Sequence, residues 1–149
     1  MTCERANAED IRDLEALFPK DLESRIQQVR AGAIDVYYVE FDGRPVGRII
    51  ANYMDQHLDG ETIPGRRACF SHFILFKEHR NKGMGGELLA FALQDLRVRG
   101  YTEFTVGVEA DNHIAKHLYE KAGFTERIGH GSVPCEYDLY LLRDQTVEP

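Results

Sequence analysis

Arg80-Asn81-Lys82-Gly83-Met84-Gly85-Gly86 follows an apolar run, residues 68–76, and opens a helical pattern over residues 87–99. A strand, a glycine-rich turn and a helix start, in that order, make an anion site. Glycines have no Cβ, so the backbone at 83, 85 and 86 can turn sharply and come close to a ligand. The first N–H groups of a helix lack internal acceptors, and the helix dipole favours negative charge there. A phosphate or pyrophosphate is the natural guest. Arg80 and Lys82 add positive charge to a chain whose formal net charge is -7. Glycine spacing alone is a weak signal, and its weight depends on the rest of the chain.

Further on stands Val108-Glu109-Ala110-Asp111-Asn112-His113-Ile114-Ala115-Lys116-His117-Leu118-Tyr119-Glu120-Lys121-Ala122-Gly123-Phe124. Asp111 or Asn112 suits a helix N-cap. Ile114, Ala115, Leu118, Tyr119 and Ala122 recur at helical spacing. Gly123 is placed to end that helix in a left-handed conformation, with Phe124 as the apolar contact after it. Both segments therefore read as strand, loop and helix.

Arg-x-x-Gly-x-Gly followed by Asn-x-x-Ala-x-x-Leu-Tyr-x-Lys-x-Gly-Phe resembles the GCN5-related N-acetyltransferases (GNAT). Arg80, Gly83 and Gly85 match the first motif; Asn112, Ala115, Leu118, Tyr119, Lys121, Gly123 and Phe124 match the second. The resemblance is clearest over residues 70–124. It implies one N-acetyltransferase domain over residues 1–149. The implied fold class is α/β (α+β), a mixed central sheet of about six to seven strands flanked by about four helices. It also implies acetyl-CoA as cosubstrate. In the family the strand before the glycine-rich loop parts from the next strand, here 101–108. The pantetheine arm lies in that opening, and exposed backbone edges pair with it as with a strand.

Outward from these motifs the pattern is simpler. Residues 7–19 read as a short helix stopped by Pro19, and 21–32 as a second, with Leu22, Ile26 and Val29 on one face. Strands are expected at 35–41 and 45–53, joined by the hairpin turn Asp42-Gly43-Arg44. Residues 55–65 read as a loop or an interrupted strand end, 66–76 as the long strand, 101–108 as the next strand and 112–122 as the next helix. Short strands at 125–129 and 136–143 close the pattern, and 144–149 is expected to fray.

Composition narrows the function classes. A chain of 149 residues, 43% hydrophobic and 29% charged, suits a soluble globular domain. No apolar run is long enough to span a membrane. The start Met1-Thr2-Cys3-Glu4-Arg5 lacks the apolar core of a signal peptide. Cys3, Cys69 and Cys135 are odd in number and far apart, which suggests free thiols in a reducing, cytoplasmic setting. A pI near 5.3 argues against general nucleic-acid binding and allows a cationic substrate.

The chemistry implied by the resemblance is acetyl transfer to an amine without a covalent enzyme intermediate. The amine must lose a proton, the oxyanion must be stabilised, and the departing thiolate must gain a proton. Tyr119 is the candidate general acid, since a phenol is protonated at neutral pH. The backbone N–H of Leu75 is implied for the oxyanion. With the loop residues Arg80, Asn81, Lys82, Gly83, Met84, Gly85 and Gly86, with Asn112 and with Tyr119, Leu75 makes up the implied cofactor site. A helix cap alone is an equal reading of Asn112. Glu109, on the face of Gly107 two positions before it, is the candidate for binding or deprotonating the amine. Some family members carry a glutamate where this chain has Gly107. Strand alternation puts His72 with Phe70 and Ile74, and Cys69, Ser71 and Phe73 on the other face. Family members with a strand histidine as base carry it at positions matching Cys69 or Ser71, so His72 is expected to be packed or hydrogen-bonded. His113 and His117 are at metal-binding spacing without a third partner, so no metal site is expected.

Small amines, aminoglycosides, amino acids and protein N-termini all fit as acceptors. In the family, acceptor pockets draw on the first two helices, the 55–65 loop and the last strands. Tyr37, Tyr38 and Tyr53 with Asp35, Asp55 and Asp59 suit a cationic acceptor, or ordinary surface and core. The pattern permits a homodimer through the last strands. One rival is a non-catalytic acyl-CoA sensor, which need not keep Tyr119. A nucleotide-binding P-loop is disfavoured, because Lys82 precedes Gly83 rather than following it.

Overall fold

The computed structural model describes residues 1–144. The expectation for the segment after Asp144 lies outside these residues. Among them are seven strands and four α-helices: β1 (Thr2–Arg5), α1 (Ile11–Glu15), α2 (Leu22–Arg30), β2 (Ile34–Phe41), β3 (Arg44–Asn52), β4 (Arg67–Leu75), α3 (Met84–Val98), β5 (Glu103–Glu109), α4 (His113–Ala122), β6 (Glu126–Gly131) and β7 (Tyr137–Arg143). A 3-10 turn, Lys77–His79, follows β4. The strands hydrogen-bond in the order β1-β2-β3-β4-β5-β7-β6. The chain forms two compact units, and β4 contributes to both.

The first unit comprises Met1–Asn52 and His72–Asp95. Its hairpin β2–β3 turns at Asp42 and Gly43, with φ of 52° and 75°. Two successive positive φ values match the twist of the strands they join. β1 pairs antiparallel with β2, from Thr2↔Glu40 to Arg5↔Tyr37. The expected 7–19 helix shrinks to Ile11–Glu15. The Asn7 side chain accepts the N–H groups of Glu9 and Asp10, and Asp10 accepts that of Asn7. That exchange makes a turn of the first residues. The core gathers Ile11, Phe18, Ile26, Ile34, Val36, Tyr38 and Ile50.

The second unit comprises Tyr53–Ser71 and the chain from Leu96 onward. β4 and β5 run parallel from Arg67↔Glu103 to Phe70↔Val106. β5 and β7 pair antiparallel, as do β6 and β7. Glu103, almost fully buried, binds Arg66 at 2.7 Å and Arg67 at 2.6 Å. These ion pairs tie together the starts of the two parallel strands. Phe70 stacks on Phe104 at 6.0 Å. The loop after β3 is held by its own carboxylates. Asp55 accepts the N–H groups of Gly60 and Thr62. Buried Glu61 accepts those of Gln56, His57 and Leu58.

No helix among the described residues is long and apolar enough to cross a membrane.

Candidate active site

The glycine-rich segment is built by the end of β4. Leu75 closes the strand, and the Phe76 N–H returns to the Val46 carbonyl at 2.8 Å. After the 3-10 turn, Arg80 reaches back and donates from Nε to the Leu75 carbonyl, also at 2.8 Å. The loop is thereby fastened to the strand end. Asn81 and Gly83 then take left-handed backbones, φ 62° and 81°. α3 begins at Met84, three residues before the expected start. Gly85 and Gly86 are thus in its first turn, so a need for positive φ falls on Gly83 and not on Gly85. Arg80, Asn81, Lys82 and Gly83 are exposed, and Met84 is buried beneath them. The N–H groups of the first turn of a fifteen-residue helix face this exposed basic loop. The arrangement fits an anionic phosphate group.

The second motif folds as its residues demand. Asn112 caps α4, its Oδ1 accepting the Ala115 N–H at 3.2 Å. The cap uses the amide oxygen and leaves the amide nitrogen to donate elsewhere. Gly123 ends the helix at φ 110°, and the Phe124 N–H returns to the Tyr119 carbonyl at 2.9 Å. Tyr119 is buried, and its ring meets Phe124 edge-on at 5.6 Å. Burial, and then the neighbouring Cys69, raise its pKa above the ordinary phenol value. Tyr119 is therefore a protonated phenol throughout the neutral range. Burial also pushes Cys69 up to about 12, so this cysteine stays a thiol and is no nucleophile at neutral pH.

Glu109 is the exposed last residue of β5, opposite Tyr137 on β7. Its carboxylate hydrogen-bonds the exposed Cys135 thiol, and that contact is the leading cause of the raised Cys135 pKa. An ideal Cβ on Gly107 would stand 3.0 Å from the Tyr137 ring. The tyrosine thus fills the space that a side chain at Gly107 would need. His113 and His117 are exposed on α4.

His72 lies on β4. It is exposed, with a left-handed backbone of φ 52° inside β4. The kink breaks the strand alternation at this point.

Several acceptor candidates have structural employment. The Tyr37 hydroxyl donates to Asp95 at 2.6 Å, and that of Tyr38 to buried Glu15 at 2.5 Å. Tyr53 stacks on Tyr101 and accepts from Arg99 at 3.1 Å. Asp55 is spent on its own loop. Asp59 remains exposed, beside a cavity of about 330 Å³ bounded by the 58–60 turn and by Ile128, Gly129 and His130 of β6. Sequence reasoning missed Tyr137 and Glu61. Gly107 and Gly131 flanking an aromatic strand residue were the available signal for the first.

The family model described as "Acetyltransferase (GNAT) family" matches residues 4–124. The chain belongs to this family. A plant relative, GCN5-related N-acetyltransferase 6, chloroplastic, from Arabidopsis thaliana, is 27% identical over 103 residues, 58% of this chain. The matched part is 36% of that protein. Among solved structures, the fold is similar to yncA, a putative acetyltransferase from Salmonella typhimurium with its cofactor acetyl-CoA. The TM-score is 0.75 at 17% identity, covering 99% of this chain and 96% of that one. It is also similar to the ribosomal-protein-alanine N-acetyltransferase from Brucella melitensis. There the TM-score is 0.69 at 22% identity, over 95% and 97% of the two chains. The GNAT chain described here thus shares its fold across nearly its whole length.

Proposed function

We propose that this GNAT protein is an acetyl-CoA-dependent N-acetyltransferase that passes the acetyl group directly to a primary amine. The observation that carries this reading is the β4–β5 ladder. It ends at Phe70↔Val106, although the strands continue to Leu75 and Glu109. Parallel strands that stop pairing leave backbone groups in need of partners. An extended amide-bearing arm such as pantetheine can supply them. The loop fastened to Leu75 offers the phosphate site at the end of the same strand. The Salmonella relative, solved with acetyl-CoA, supports the choice of cosubstrate.

In this reading acetyl-CoA brings an activated thioester, and the chain supplies three things. Gly83 and the first turn of α3, with Arg80, Asn81 and Lys82, hold the pyrophosphate. The Leu75 N–H stabilises the developing oxyanion, and the Asn112 amide hydrogen-bonds the arm. Tyr119, a protonated phenol at neutral pH, gives its proton to the departing thiolate. Glu109 binds the incoming ammonium group at the end of β5.

A screen of amines for acetyl-CoA-dependent thiol release, with the acetylated product identified by mass spectrometry, tests this function. Amine-dependent release is expected. CoA binding with no release for any small amine, amino acid, aminoglycoside or N-terminal peptide would leave an acyl-CoA sensor instead.

A further inference from the structure

Residues of α1 and α2 share one core with β2 and β3, and four polar side chains are buried beside it: Glu15, Arg25, Tyr38 and Arg48. Glu15 is the one carboxylate of the four. One of its oxygens accepts from Arg25 Nε, and the other from the Tyr38 hydroxyl at 2.5 Å. Arg25 donates from its two remaining nitrogens to the carbonyls of Lys20 and Phe18. Glu15, Arg25 and Tyr38 therefore form a closed set. Their charges cancel and their hydrogen bonds are used.

Arg48 stands outside that set. Its Nη1 is 3.4 Å from Glu15 without a hydrogen bond. Neither Nη1 nor Nε donates to any partner among the described residues, and both atoms are buried. The side chain is 4% exposed, with its guanidinium over the Phe18 ring at 4.4 Å. It is a second cation beside a carboxylate that Arg25 already neutralises. A buried charge with unused donors costs free energy, so it is a poor structural element. Burial lowers the Arg48 pKa, Glu15 opposes that, and Arg25 adds to it.

β3 sets this cation beside the end of β4 where the acyl group is read to lie. The Val46 carbonyl accepts the Phe76 N–H at 2.8 Å. An ideal Cβ on Gly47 would stand 2.8 Å from the Ile74 carbonyl and 2.7 Å from the Leu75 side chain. Arg48 is the next residue, so it lies across from the stretch of β4 that leads into Leu75. Neighbouring strands are about 4.8 Å apart, a span that one amino acid covers. Phe18, against the guanidinium, also stacks on Phe76 at 5.5 Å. At His72 the kinked β4 is exposed. Partial desolvation, then Arg48 and Arg25, lower the His72 pKa. The field of the buried cation thus reaches an exposed position on β4.

From this placement we propose that Arg48 binds a carboxylate of the acceptor, so that the amine acetylated is that of an amino acid. The proposal rests on the acetyltransferase reading above and names the acceptor class within it. The carboxylate supplies the negative charge and the hydrogen-bond acceptors that Glu15, spent on Arg25 and Tyr38, does not. As the acceptor enters, it displaces the Phe18 ring from the guanidinium. Its amine then faces the thioester held at Leu75.

The test compares free amino acids with their carboxamides and their decarboxylated amines, by acetyl-CoA-dependent thiol release at neutral pH. A carboxamide keeps the size and has the less basic amine, so amine reactivity alone would favour it. The best amino acid should nevertheless exceed its carboxamide in kcat/KM by about tenfold or more, the scale of one charged hydrogen bond. In Arg48→Met that ratio should fall to near one, and Arg48→Lys should keep part of it. The Tm of Arg48→Met should match or exceed that of wild type, because Glu15 and Arg25 still balance. Acetyl-CoA affinity by calorimetry should stay within about twofold in both variants. Amino acids no better than their carboxamides overturn the proposal and leave the acetyltransferase reading in place. So does a ratio that survives in Arg48→Met. A large fall in the Tm of Arg48→Met also overturns it, because the guanidinium then belongs to the fold. A wild-type protein that binds acetyl-CoA yet acetylates no amine overturns the acetyltransferase reading itself, and the acceptor class with it.

Discussion

The Tyr137 ring occupies the space where Gly131, its partner across the β6–β7 ladder, would carry a side chain. An ideal Cβ on Gly131 would stand 2.3 Å from the Tyr137 Cζ, against 3.0 Å from Cδ2 for Gly107 on β5. The two glycines cradle one aromatic ring. Gly131→Ala should therefore destabilise the protein by about 1–3 kcal/mol, and Gly107→Ala by less. In a Tyr137→Ala background the Gly131→Ala penalty should nearly vanish. Urea melts of the four proteins in that cycle measure the coupling directly. Additive effects would show that the ring moves aside freely.

Gly83 has φ 81° and nothing within 4 Å of an added Cβ. Gly83→Ala should thus cost only backbone strain, about 1–2 kcal/mol. Its effect on CoA affinity should be larger, because the loop must hold its shape at the phosphates. Gly83→Asn, which tolerates this backbone, should keep stability nearer to wild type. Calorimetry with CoA checks the first point and thermal melting the second. Unchanged CoA affinity in folded Gly83→Ala would remove this loop from the site.

His130 on β6 sits between Asp138 at 2.9 Å and Glu136 at 2.8 Å. Their hydrogen bonds raise its pKa above 6.5. A raised folded-state pKa stabilises while the group is charged. The contribution is therefore full below pH 6.5 and is lost as pH rises through the folded-state pKa. The Tm of wild type relative to His130→Gln should fall across that window. A difference that does not change with pH would mean that these contacts are too well solvated to matter.

Glu109 has two readouts. Glu109→Gln should raise the acceptor KM while leaving acetyl-CoA affinity near wild type. It should also release Cys135 from the carboxylate that raises its pKa, so alkylation of that thiol at neutral pH should quicken. Faster alkylation with an unchanged acceptor KM would show that Glu109 serves only its neighbour.

What was legible in the chain was local. Asp42-Gly43 specified its turn, Asn112 its cap and Gly123 its helix end, because each acts on backbone groups a few residues away. The strand, loop and helix of the cofactor motif followed for the same reason. Four-residue β1 was missed, since an edge strand that short carries too little alternation. α3 started earlier than expected because glycines lower helix propensity without forbidding the first turn. The exposure of His72 was not legible, because alternation assumes an unbroken strand. Tyr37 and Tyr38 suited either an acceptor pocket or the core, and their partners, Asp95 and Glu15, came from elsewhere in the chain. No spacing rule reports such distant contacts.

The central claim is a direct transfer in which the buried phenol of Tyr119 protonates the thiolate as it leaves. Tyr119→Phe keeps the ring and its contact with Phe124 and removes only the hydroxyl. The donor acts in the transition state more than in the ground state. Single-turnover acetyl transfer to an accepted amine, with acetyl-CoA pre-bound, isolates that step. The expected result is a rate lower by about ten- to a thousandfold, with acetyl-CoA affinity unchanged. A wild-type single-turnover rate in Tyr119→Phe would contradict it and leave Tyr119 as a packed residue of α4.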